Sequence, residues 1–390
     1  MNTKHCKAGM GENLLFLVVF LAMLGLSGCR LVDGGVDSTD PMPPITLEKK
    51  IAQMLMVGFR GTTLDESNYI VRDIRDYGLG GVILFDKDVL SGKVGRNITS
   101  PAQLKSLTAS LQAISATPLF ISVDQEGGKV ARLKESYGFA PTVTAQYLGT
   151  MNDLALTRKY ADSIAQTLAE NGITMNFAPV VDLNTNPLNP VIGKLERSFS
   201  ADPGIVVAHS REFIAAHEKA GIATCLKHFP GHGSSTTDSH LGFTDVTLTW
   251  NEKELEPYRQ LISSGTCRMV MTAHIFNGKL DPNLPATLSQ LTITDILRKK
   301  LGFNGVIVSD DTQMKSLSQF YDFDTVIEKS ILAGVDIILV PNNNAYDPDV
   351  TPNTIEKVAK LVRSGTIPEA RIDESYRRIM ELKNLISVRR

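Results

Sequence analysis

One window of the sequence concentrates groups that can move protons or bind charge. Lys227-His228-Phe229-Pro230-Gly231-His232-Gly233 is followed closely by Asp238-Ser239-His240, and three of the chain's seven histidines fall inside it. These residue types at this spacing support three chemistries. His228 and His232 are four apart, the separation at which a helix would set two metal ligands on one face. Pro230 and Gly231 lie between them, however, and a proline without an N–H and a glycine without a Cβ both work against a helix. No metal is therefore expected. A polar loop of hydrogen-bonded histidines is the plain structural reading. The third reading is a histidine general acid/base, His240, with Asp238 two residues earlier to orient the ring and stabilise its charge.

Such groups need rigid support, and the pattern around them supplies it. The chain has 390 residues, 43% hydrophobic and 21% charged, which is ordinary globular composition with length for a large core. Its net charge of -2 gives no reason to expect a nucleic-acid partner. From Ile45 onward, short apolar runs alternate with amphipathic segments. The runs are Met54–Phe59, Gly81–Phe85, Leu119–Val123, Thr174–Val181, Ile222–Leu226, Met269–Ala273, Val306–Val308 and Val335–Val340. Helical patterns lie between them, including 65–77, 100–114, 154–171, 203–220, 251–263, 292–301 and 326–333, and one helix, 369–386, closes the chain. Eight strands alternating with helices predict a single (β/α)8 TIM-type barrel, of α/β class, over residues 45–390 without a second domain. The competing fold is an open doubly wound sheet, but no glycine-rich phosphate fingerprint follows the first run.

A barrel places its chemistry at the C-terminal ends of the strands. Asp124-Gln125-Glu126-Gly127-Gly128 follows the third run, Asp182 and Asn184 the fourth, Lys227 and His228 the fifth, His274 the sixth, and Asp310-Asp311 the seventh. The expectation is that Lys227 and His228 stand at a strand end and on the loop leaving it.

Taken in order, these blocks resemble glycoside hydrolase family 3, and within it the NagZ-type β-N-acetylhexosaminidases. The resemblance rests on Lys227–Gly233 with Asp238-Ser239-His240, Asp124–Arg132, Asn176–Asp182, Asn189–Gly193, Arg197-Ser198-Phe199 and Ser309-Asp310-Asp311. It implies a retaining, two-step reaction through a covalent glycosyl-enzyme, with no cofactor. Asp310 would be the nucleophile and His240 the acid/base, oriented by Asp238. Asp124, Arg132, Arg197, Lys227 and His228 would bind the sugar. Asp311 reads as support, in the manner of a helix N-cap. His232 would brace the loop, and His274 is either a wall of the site or a buried structural histidine. The implied substrate is a small oligosaccharide, terminal β-linked GlcNAc of peptidoglycan fragments or chitooligosaccharides, acted on by a monomer. The sequence departs from the family pattern at Thr312 and in the longer Lys194-Leu195-Glu196 segment, which bears on fine specificity.

The N-terminus reads as a targeting segment. Lys4 and Lys7 precede an apolar run, Leu14–Leu26, which is short for a membrane span. It ends in Leu26-Ser27-Gly28-Cys29, which resembles the bacterial lipobox. The expectation is a lipoprotein signal peptide over 1–28, a lipidated Cys29 with a flexible tether over 29–44, and an extracytoplasmic protein held at a bacterial membrane through that lipid alone. Cys225 and Cys267 are either buried thiols or one disulfide. Asn97-Ile98-Thr99 matches a glycosylation sequon that the lipoprotein reading makes incidental. Alternative activities are a phosphorylase or β-glucosidase of the same family, a sugar-binding lipoprotein without catalysis, and a metal-dependent barrel hydrolase built on His228, His232 and Asp310.

Overall fold

A computed structural model of the protein describes residues 45–389. The expected signal peptide, Cys29 and tether lie outside the described residues. Within them, eight short strands carry the core: β1 (Leu55–Gly58), β2 (Gly81–Ile83), β3 (Phe120–Val123), β4 (Met175–Asn176), β5 (Ala223–Phe229), β6 (Met269–Thr272), β7 (Val306–Val308) and β8 (Ile338–Val340). They pair in parallel in the order β8-β1-β2-β3-β4-β5-β6-β7. A parallel bridge between Val308 and Ile337, with the Ser309 N–H donating to the Ile337 carbonyl at 2.9 Å, joins β7 to the start of β8, the two ends of this order, and closes the barrel. Every residue of these strands is buried. Strands enclosed on both faces read as continuous apolar runs, which is why the pattern was visible.

Two strands differ from expectation. The run Thr174–Val181 forms a ladder only at Met175–Asn176, because Pro179 has no N–H to donate; pairing resumes at the Val180–Lys227 bridge. The fifth strand continues past Leu226 to Phe229, its register against β6 shifting between Leu226 and Phe229. Lys227 and His228 therefore stand in the barrel wall rather than on the loop. Two helices, Val350–Arg363 and Glu369–Arg389, follow β8 where one was expected. Pro352 falls in the first turn of the unexpected helix, where no intrahelical donor is needed. Cys225 and Cys267 are free thiols. Asn97 is wholly buried, its amide donating to the Phe59 and Gly61 carbonyls, so the sequon is not a surface site.

The last helix seals the barrel floor. Lys383 reaches the Gln53 side chain and the Gly80 carbonyl, both at 2.7 Å, just before β1 and β2. Asp336, just before β8, is fully buried and accepts from Arg298, Arg371, Arg378 and Ser375. Burial opposes its charge, but the three arginines hold its carboxyl below the usual range. Asp336→Ala leaves those cations without their shared partner and is expected to destabilise the fold by about 3–5 kcal/mol. A urea midpoint displaced by less than the equivalent of about 1 kcal/mol would contradict this.

Candidate active site

The site is built at the C-terminal mouth around a buried ion network. Asp124 leaves the end of β3, and a short hairpin, Gln125–Gly127 with Val130–Ala131, follows it. Asn176 on β4 clamps the start of this hairpin: its carbonyl accepts the Gln125 N–H and its amide donates to the Gln125 carbonyl, both at 3.0 Å. Lys227, only 2% exposed, donates to Asp124 Oδ1 at 2.9 Å and to Glu126 Oε1 at 2.7 Å. Arg132 holds the other oxygen of Asp124 at 3.1 Å. Arg197 grips Glu126 with two parallel bonds of 2.8 and 2.7 Å, the planar fork-to-carboxylate geometry. Burial opposes ionisation of Asp124 and Glu126, yet the adjoining cations hold both carboxyls below their usual range. The same pairing outweighs burial in Lys227 and Arg197 and keeps them charged. Paired in this way, the charged donors and acceptors stay ionised at the depth where sugar hydroxyls and carbonyls would meet them.

His228 lies beside this network. Its Nδ1 meets Asp182 Oδ2 at 2.7 Å, and Arg197 Nη2 approaches its Nε2 at 3.3 Å. A guanidinium can only donate, so Nε2 accepts and Nδ1 carries the proton to Asp182. Asp182 also accepts the backbone N–H groups of His228 and His232 and organises the turn between them. Gly231 in that turn has φ +119°, and a Cβ there would collide with Glu254. Glu254 accepts from the N–H groups of Gly233 and Ser234; burial and the Asp182 charge push its carboxyl up to about 8. His232 has both ring nitrogens engaged, with the Ser235 and Ser239 hydroxyls, and burial drives its pKa down to about 4. It is a brace tied to the residue before His240.

Asp310 and Asp311 follow β7 and differ sharply. Burial opposes ionisation of Asp310, but His274, His228, His240 and the Asp311 N–H, at 2.8 Å, hold it below the usual carboxylate range. Burial and the neighbouring Asp310 push Asp311 up to about 7. Environments that split a carboxyl pair in this way assign separate roles. Asp311 is not a helix N-cap as expected. It accepts the Gln313 N–H two residues on, while the helix Lys315–Ser318 begins after Met314. His274 is buried, with Nε2 on the Asp311 carbonyl at 2.8 Å and Nδ1 near the Thr287 hydroxyl at 2.7 Å. It holds the backbone after Asp310 and lines neither cavity.

His240 is placed differently, with its side chain 54% exposed and its Nδ1 2.8 Å from Asp238 Oδ1. Burial lowers its pKa, but Asp238 and the Asp310 charge more than compensate, and the net shift is upward. Two adjoining cavities of about 330 and 260 Å³ meet here, sharing Asp124, Arg132, His240, Met271 and Asp310. The larger reaches Lys227, His228 and Arg197; the smaller runs out past Asp86, Lys134 and Asn344. An ionised carboxylate and a protonatable imidazole thus border the same space, with hydrogen-bonding groups on one side and an open lobe on the other. Leu195 of the extended segment lines the larger cavity, and Lys129 pins Glu196 at 2.7 Å. Thr312 bonds the Leu339 carbonyl at 2.9 Å.

Three residues of the site were not singled out as functional from sequence. Glu126 and Asp182 stood within recognised blocks. Glu254 carried no signal, since only the fold brings it under the loop.

The model of the glycosyl hydrolase family 3 N-terminal domain matches residues 46–382. A β-hexosaminidase A of Pseudoalteromonas piscicida is 34% identical over 387 residues, covering 89% of this chain and 62% of its own. A β-hexosaminidase of Nitrosomonas eutropha is 35% identical over 308 residues, covering 76% of this chain and 81% of its own. The solved structure of a family 3 β-N-acetylglucosaminidase from a Paenibacillus species superposes with a TM-score of 0.80 at 36% identity, covering 88% of this chain and 63% of that one. A β-N-acetylhexosaminidase from Beutenbergia cavernae superposes with a TM-score of 0.77 at 28% identity, covering 87% and 99%. The chain thus spans less than two thirds of the Pseudoalteromonas and Paenibacillus proteins. With its barrel, its ion network and a family match over nearly all the described residues, the chain belongs to glycosyl hydrolase family 3, a family of glycoside hydrolases.

Proposed function

We propose that this chain is a retaining, exo-acting β-N-acetylglucosaminidase that removes terminal β-linked GlcNAc from peptidoglycan fragments or chitooligosaccharides. The observation that carries the reading is the pairing of an ionised Asp310 with a raised-pKa His240 around one space. In the first step the Asp310 carboxylate attacks the anomeric carbon as the glycosidic bond breaks, and His240 gives its proton to the leaving oxygen. In the second, His240 takes a proton from water, which displaces Asp310 and releases the sugar. Asp238 orients the imidazole and stabilises its cation. Lys227, His228, Arg197, Asp124 and Arg132 bind the sugar retained on the enzyme. We further propose that the enzyme acts as a monomer at the bacterial cell envelope, anchored by lipid on Cys29.

The test is release of nitrophenol from β-GlcNAc and β-glucose substrates, with and without phosphate. Turnover of the GlcNAc substrate to free sugar supports the proposal. A sugar phosphate as product would make the chain a phosphorylase, and cleavage of neither substrate would remove the assignment.

The pH profile follows from the two shifts. Activity needs Asp310 ionised and His240 protonated. Asp310 lies below the ordinary 3.8, so kcat/KM should fall only in stronger acid. His240 lies above the ordinary 6.5, so kcat/KM should fall on the alkaline side with a midpoint above that value. Asp238→Asn removes the carboxylate that raises His240 and should move this limb to lower pH. An unmoved limb would separate Asp238 from the titrating group.

A further inference from the structure

His240 is tied to its aspartate, but that aspartate belongs to the same loop. Asp238 can orient the ring; it cannot hold the loop against the barrel. Backbone bonds fix the base of the loop: the Val246 N–H donates to the Phe276 carbonyl at 2.9 Å and the Phe276 N–H to the Thr244 carbonyl at 2.8 Å. Nearer the tip, Ser239 contributes single polar contacts, its hydroxyl to His232 at 3.1 Å and its carbonyl to the Ser316 N–H at 3.3 Å. On the near side of the tip, the Asn186 amide donates to the Ser235 carbonyl at 2.8 Å. A further tie is apolar. The Phe243 ring lies 5.4 Å from Phe276 and 5.5 Å from Phe320, within the range of favourable aromatic pairing. These rings come from the loops after β5, β6 and β7, and the last of these also carries Asp310. Phe243 and Phe320 are 48% and 56% exposed. Neither lines the two cavities, so substrate in those lobes does not account for them.

We propose that Phe243, packed on Phe276 and Phe320, is the anchor that sets His240 over the bond to be cleaved, making it a positioning residue for proton transfer. This rests on the acid/base role of His240 given above. The cluster couples the loop of the proton donor to the loop of the nucleophile, so the two groups keep a common geometry. Losing it leaves Asp238 and His240 paired but displaced together. A misplacement on the order of 1 Å lowers a rate by about 10²-fold.

The experiment compares kcat/KM on chitobiose, whose leaving sugar needs a proton, with kcat/KM on dinitrophenyl β-GlcNAc, whose leaving group does not. Phe243→Ala is expected to lose about 10–100-fold on chitobiose and far less on the dinitrophenyl substrate. Phe243→Tyr should restore most of the loss, and Phe320→Ala should repeat the pattern if Phe243→Ala folds poorly. Azide, which needs no general base, should raise kcat of Phe243→Ala on the dinitrophenyl substrate. Equal losses on both substrates, or none on either, would overturn the proposal while His240→Ala still discriminates between them. If His240→Ala itself shows no such discrimination, the acid/base assignment fails and this inference with it.

Discussion

Asp310→Ala is expected to lower kcat by about 10⁴-fold or more, a loss of roughly 5 kcal/mol in transition-state stabilisation. The size follows from the position of the carboxylate. Burial alone would favour its neutral form, and three histidines with the Asp311 N–H reverse that. A charge held ready at a strand end needs no solvent reorganisation when the bond breaks. Asp311 cannot take over, because its carboxylate is engaged by the Gln313 N–H and the Asn344 amide. Asp310→Glu keeps the charge but moves it by about one carbon–carbon bond, and should still lose on the order of 10²-fold. Nitrophenol release measures both variants. The covalent step has its own readout. In His240→Ala fed an activated aryl glycoside, the intact protein mass should rise by one glycosyl unit, and Asp310→Ala should abolish that rise. Persistence of the adduct without Asp310 would move the nucleophile elsewhere.

Glu126→Gln is expected to cost about 3–5 kcal/mol of stability and most of the activity. Glu126 is the shared counter-ion of Lys227 and Arg197, whose side chains are 2% and 9% exposed. The amide keeps the shape but removes the charge, so two adjacent buried cations lose their common partner. Asp124 cannot supply both, since Arg132 already holds one of its oxygens. Lys227 or Arg197 must then turn toward solvent, and the His228 contact made by Arg197 goes with it. Thermal unfolding should show a midpoint lower by roughly 5–10 °C. If Glu126→Gln melts like the parent, the network is not the support described here.

Much of this architecture was legible beforehand, for reasons that particular elements make plain. Buried parallel strands need apolar side chains on both faces, so runs such as Gly81–Phe85 and Met269–Ala273 announced themselves. The mouth of the barrel is where polar groups can end a buried strand, which placed Asp124, Lys227 and Asp310 together although they are far apart in the chain. What stayed hidden depended on approach through space. Glu126 lies 71 residues from Arg197 and Asp182 lies 46 from His228, and nothing local names those partners. The helix Val350–Arg363 was not among the expected elements, although Pro352 falls in its first turn, where proline is tolerated. Residue type and order thus determined the barrel, the family and the candidate acid, base and nucleophile. Only the tertiary structure decided which carboxyl is held below the usual range and which is pushed above it. Asp310 and Asp311 are neighbours of identical chemistry, and their separation comes from their surroundings: histidines that other strands and loops bring to Asp310, and burial together with the Asp310 charge acting on Asp311.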